Sequence, residues 1–212
     1  TNVGVFVRTP IGRSTFVKVS GGFQIFKFED PTVLPPLGPG DKSNLNDYYF
    51  TASINNQINN RFSHSLSVGH ESALNLSSNY ITADFINYGV SMVTSKGGRL
   101  SLTGYFERAN PSTPSPAFVQ AQQDLIQYGY DLYYNHQITS KIRMGAGYHF
   151  GVTDSEAATG DFDQHAFNID FSAMLTQKAS VNIGYRYFMT NTYNNNQDFN
   201  QHRIILGLNY NF

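Results

Sequence analysis

The chain has 212 residues, 14% of them charged against about 25% in ordinary soluble domains, with 15% aromatic residues, 18 glycines and a mean hydropathy of -0.34. A net charge of -1 argues against the basic surface that a nucleic-acid partner demands, and the absence of cysteine excludes disulfides and thiolate metal sites. No apolar run reaches the ~18 residues of a transmembrane helix, and the charge is too sparse for a soluble surface, so strands that alternate between lipid and a polar lumen fit best.

In chain order, Val3, Val5 and Val7 alternate and predict a strand over 2–8, followed by one over 14–28 that carries Lys18. A connection from Asp30 to Asn46 with four prolines leads to strands at 47–57 and 62–73, joined by the turn formers Ile58-Asn59-Asn60-Arg61. Strands at 81–93 and 99–107 flank Thr94-Ser95-Lys96-Gly97-Gly98, and a second long connection, Asn110 to Gln123, holds three prolines. The strand over 124–137 turns through Thr139-Ser140-Lys141 into one over 141–151, where Ile142, Met144, Ala146, Tyr148 and Phe150 oppose Arg143, Gly145, Gly147 and His149. In the strand over 164–175, Phe167, Ile169, Phe171, Ala173 and Leu175 oppose Asn168, Asp170, Ser172 and Met174. Beyond Thr176-Gln177-Lys178, the strand over 180–190 sets Val181, Ile183, Tyr185, Tyr187 and Met189 against Ser180, Asn182, Gly184, Arg186 and Phe188. The last strand, 200–212, has His202, Ile204, Leu206, Leu208, Tyr210 and Phe212 on one face and Arg203, Ile205, Gly207, Asn209 and Asn211 on the other.

A period of two is that of strands. Short turns alternate with long loops, as in outer-membrane barrels whose turns face the periplasm. A soluble β-sandwich also alternates, but here the face opposite the apolar residues holds mostly Gly, Ser, Asn, Asp and Arg. Tyr48, Tyr80, Tyr128, Tyr148, Tyr187 and Tyr210 gather near strand ends as an interfacial girdle does, built without tryptophan. The fold expected is an all-β, transmembrane, antiparallel up-and-down barrel of about ten to twelve strands, one domain over 1–212, closed by pairing of its first and last strands. An odd tally of segments and a start within strand-like sequence, with no signal peptide, point to the C-terminal part of a longer chain.

The polar face collects Lys18, Glu71, Arg99, Glu107, Asp131, Arg143, Asp170, Arg186 and Arg203. These form either a charged constriction that selects solutes or an ion-paired plug, and equal heights above a shared turn predict an Asp170–Arg186 pair. On the other face, His70 and Ser72 point outward, and counting across the loop brings Asp84 opposite His70, a candidate Ser-His-Asp set at the lipid boundary. The remaining histidines, His64, His136, His149, His165 and His202, form no metal set. No cofactor motif is present.

The ending from Ile204 to Phe212 resembles the C-terminal strand of outer-membrane β-barrel proteins, whose terminal aromatic is read by the barrel insertion machinery. That resemblance implies an insertion signal at Tyr210 and Phe212. The segments Ser180 to Tyr187, Arg203 to Phe212 and His64 to Glu71 resemble uncharacterised barrels associated with exopolysaccharide secretion systems. The alternation of His70 and Ser72 with Asp84 on the next strand is similar in arrangement to outer-membrane phospholipase A, although the surrounding sequence departs from that enzyme. The expectations are a passive channel or a structural barrel subunit in the bacterial outer membrane, with a lipid-face hydrolase or an exopolysaccharide-export barrel as alternatives. Lipid, lipopolysaccharide and the assembly machinery are the expected partners, beside an envelope protein or a second copy of the chain.

Overall fold

The computed structural model describes residues 1–27, 44–74, 80–111, 124–155, 161–193 and 198–210. Eleven strands form one sheet in chain order: β1 (Asn2–Ile11), β2 (Thr15–Lys27), β3 (Asn44–Gln57), β4 (Phe62–Leu74), β5 (Tyr80–Ser95), β6 (Gly98–Pro111), β7 (Leu125–Gln137), β8 (Ile142–Ser155), β9 (Phe162–Met174), β10 (Ala179–Thr192) and β11 (Phe199–Tyr210). Every neighbouring pair is antiparallel. Each segment expected from the alternation is a strand, and β3, β6, β8, β9 and β10 run two to four residues further at their loop ends.

The short turns repeat one device. Asn59 Oδ1 accepts from the amides of Arg61 and Phe62, at 2.8 and 2.9 Å. Thr139 Oγ1 does the same for Lys141 and Ile142, and Thr176 Oγ1 for Lys178 and Ala179. A side-chain acceptor at the first turn position thus occupies amides that the ladder leaves unpaired. The β5–β6 turn instead uses Gly97 at φ 85°, with a register shift between Val93 and Ser95.

The register sorts the side chains into two faces. Phe23, Tyr48, Leu66, Ile86, Phe106, Tyr128, Phe167, Tyr185 and Leu206 share one face with their cross-strand neighbours, and the polar positions share the other. Large apolar side chains stand open on the first face, Phe23 at 72% and Leu206 at 74% exposure, while among the described residues the buried apolar ones are Leu45, Tyr80, Ala83 and Ala109. A soluble domain of this length buries a core. This sheet has put its apolar surface outside, where only lipid can cover it.

On the polar face, three tyrosines lie across glycines of neighbouring strands. Tyr49 occupies the space that a Cβ at Gly4 or Gly22 would take, Tyr105 does so at Gly129 and Gly151, and Tyr133 at Gly145 and Gly147. The rings cover the bare backbone and narrow the space inside the curve of the sheet.

One expectation about closure is corrected. β1 and β11 are not paired, and both are exposed along almost their whole length. With eleven alternating strands, the first and last run in the same direction, so joining them directly would make a parallel pair in an otherwise antiparallel wall. The proline of β1, Pro10, lies on this edge strand, paired only with β2, where a missing N–H costs least.

Candidate functional site

The inner, polar face holds all nine charged positions singled out from the sequence, because the register gives Lys18, Glu71, Arg99, Glu107, Asp131, Arg143, Asp170, Arg186 and Arg203 the parity opposite to the apolar residues. Their partners differ from the expected ones. Asp170 does not meet Arg186: Tyr133 Oη donates to Asp170 Oδ1 at 3.0 Å, and the carboxylate leans over Gly145 on β8. Glycine there leaves room toward β8, while on the β10 side Asp170 faces Gly184 and Arg186 faces Asn168. Asp131 Oδ1 lies 2.8 Å from His149 Nδ1, and Tyr105 stacks on the same imidazole with ring centroids 6.0 Å apart.

The cations of the edge strands lie side by side. Arg186 is directly opposite Arg203, and Arg8, which the sequence reading passed over, is directly opposite Lys18. Among the described residues, none of these four cations has a carboxylate oxygen within the 4.0 Å of an ion pair. Like charges directly opposite on antiparallel strands repel. The inner face therefore carries cations along β1–β2 and β10–β11, and its acids lie between them, on β4, β6, β7 and β9, where Arg99 of β6 and Arg143 of β8 stand among them.

The outward cluster forms around His70, but not as a triad. His70 Nδ1 lies 2.7 Å from Asp84 Oδ1, as counting across the loop implied. Its Nε2 lies 3.2 Å from Asp47 Oδ2, and Tyr48 stacks on the ring at 4.5 Å. Both contacts are hydrogen bonds only when the ring carries both protons. Ser72 Oγ donates to Asp47 Oδ2 at 2.8 Å instead of to the imidazole, and Ser72 is 8% exposed. In this arrangement His70 has no nitrogen left to deprotonate Ser72, and the hydroxyl is already committed, so the geometry for nucleophilic attack is not assembled. Asp47 escaped the sequence reading because its parity is inward. Its height was the available signal, since the count from the Asn59–Asn60 turn puts it level with Ser72 and Ala73.

Three other outward histidines pair with tyrosines, His165 with Tyr148 at 2.7 Å, His202 with Tyr185 at 2.8 Å and His136 with Tyr134 at 3.3 Å, while the outward His64 meets the Tyr88 ring at 5.9 Å between centroids. His165 also contacts Asp163 at 2.9 Å. Among the described residues no group of three or more His, Asp or Glu side chains is arranged to hold a metal ion. Tyr210 ends β11 on the outward face, and Phe212 lies outside the described residues.

A sheet with an apolar outer face, a charged inner face, short turns at one end and long connections at the other is the wall of an outer-membrane β-barrel. The solved structures similar to it belong to that class. They include the outer-membrane channel DcaP of Acinetobacter baumannii, with a TM-score of 0.66 at 14% identity over 99% of this chain and 62% of that one. A loop-deletion mutant of OmpT, an outer-membrane protein of Vibrio cholerae, has 0.65 at 11% identity over 98% and 62%. The anion-selective porin from Comamonas acidovorans has 0.61 at 12% identity over 99% and 59%. The likeness is one of fold, and the chain spans about three fifths of the length of these structures. No family model and no curated protein matches the sequence.

Proposed function

We propose that the chain forms the wall of a passive outer-membrane channel that favours small anions. The observation that carries this reading is the pair of inward like-charge contacts, Arg186 opposite Arg203 and Arg8 opposite Lys18, each without a carboxylate partner among the described residues. A packed, ion-paired plug would neutralise its charges internally. Unpaired cations facing water lower the barrier for a passing anion and raise it for a cation. The fold similarity to a channel and to an anion-selective porin supports the same reading, and the lipid-facing girdle supports residence in the outer membrane, against lipid and lipopolysaccharide.

Planar-bilayer recording tests it. A tenfold KCl gradient should give a reversal potential of the sign set by chloride, and the double variant Arg186→Gln/Arg203→Gln should move it toward the cation side. Absence of conductance steps would leave a structural barrel subunit, and a cation-favouring wild type would sink the anion preference.

A further inference from the structure

The β3–β4 ladder stops early. It runs from Gln57↔Ser63 to Phe50↔His70, although β3 continues to Asn44 and β4 to Leu74. The other ladders run the length of the shorter strand to within one residue. Above the split, side chains replace the backbone. Ser72 Oγ and His70 both reach Asp47, and Gln24 Nε2 of β2 donates to the Ser72 carbonyl at 3.1 Å. Asp47 and Gln24 have inward parity and His70 and Ser72 outward parity. Such contacts require the two strands to step out of a common plane, since a continuous sheet keeps those faces apart.

On the β3 side of the split the outer face is apolar. A hollow of about 410 Å³ lies there over β2 and β3, beside the split, lined by Phe23, Gln24, Ile25, Asn46, Asp47 and Tyr48. Its three large apolar side chains are open, Phe23 at 72%, Ile25 at 41% and Tyr48 at 54%. The inner side continues into the lumen at Tyr49 and Glu71, which share the inward parity.

We propose that this seam is a lateral opening in the barrel wall, latched by Asp47, His70 and Ser72, through which small apolar molecules pass sideways from the lumen into the outer leaflet. The proposal rests on the barrel lying in the outer membrane and goes beyond an aqueous channel for ions. Opening breaks side-chain hydrogen bonds and no backbone ladder, and the departing molecule meets aromatic and aliphatic surface at the mouth. A polar solute gains nothing there, so ions keep to the axis of the barrel.

The test uses the full chain in vesicles whose outer leaflet is lipopolysaccharide, with N-phenylnaphthylamine, an apolar dye that brightens in lipid, as the probe. In Tyr49→Cys/Glu71→Cys, oxidation should bring dye entry down to the protein-free rate and reduction should restore it, while the ionic conductance of that variant is the same in both states. Releasing the latch with Asp47→Asn/His70→Gln should speed dye entry about tenfold, the population shift expected from losing a charge-assisted hydrogen bond. Equal dye entry before and after cross-linking overturns the proposal. If the cysteines do not join in the folded protein, the latch variant decides, and an unchanged rate there overturns it. Dye entry that follows the seam in a protein without ionic conductance upholds the opening and removes the channel reading.

Discussion

At the scale of single residues, what decides the partners on the inner face is the space beside each side chain. Asp170 turns toward Tyr133 because Gly145 leaves room on β8. A double-mutant cycle on unfolding in detergent should give a coupling of about 1 kcal/mol between Asp170→Asn and Tyr133→Phe, and additivity within ~0.5 kcal/mol between Asp170→Asn and Arg186→Gln. Coupling of Asp170 to Arg186 would contradict the observed contact. The parity and height of Asp170 and Arg186 were legible in the sequence; the direction in which a carboxylate leans was not, because it depends on which neighbour lacks a side chain. The cluster at His70 divides the same way. Asp84 was found by counting across the loop, since a continuous ladder preserves register. Asp47 was missed because the ladder between β3 and β4 breaks below it, and parity stops predicting contact where strands leave a common plane.

At the scale of elements, the pairing of inner tyrosines with glycines gives the sheet a local shape requirement. A Cβ at Gly129 would strike the Phe150 carbonyl, the Gly151 Cα and the Tyr105 hydroxyl, two of them backbone atoms that cannot swing away. A Cβ at Gly184 would meet its nearest atoms at 3.8 Å, an ordinary contact. Gly129→Ala should therefore lower unfolding stability by about 1–3 kcal/mol and Gly184→Ala by much less, measured by urea unfolding in the same detergent. Equal effects would mean that the glycines serve the backbone generally and not a seat for Tyr105. The alternation located every strand, because a wall between lipid and water enforces a period of two. The strand ends were read short: past the lipid edge, as at Thr153 to Ser155 on β8, both faces turn polar and the contrast fades while the hydrogen bonds continue.

At the scale of the whole molecule, the fold class was legible because sparse charge, many aromatics and the turn-and-loop asymmetry share one cause, a barrel wall in a membrane. Closure was not, since the hydrogen bonds of a sheet edge leave no mark on side-chain pattern. The arrangement of charge belongs to this scale too, with cations on the edge strands β1–β2 and β10–β11 and the acids on the strands between, beside Arg99 and Arg143. No ion pair joins the edge cations to these acids among the described residues, and the anion preference proposed above would act through the field in the lumen water. Such a field is screened over about 10 Å at 0.1 M salt and about 3 Å at 1 M. A lumen of this class is wider than the shorter length, and ions near its axis then no longer feel the wall. Reversal potentials at a fixed tenfold gradient should accordingly shrink toward zero when the whole series is moved from tens of millimolar to molar KCl, with single-channel steps still present. Selectivity that persists undiminished at molar salt would mean that anions bind in direct contact with the guanidinium groups of Arg186 and Arg203, and that contact, not the long-range field, sorts the ions.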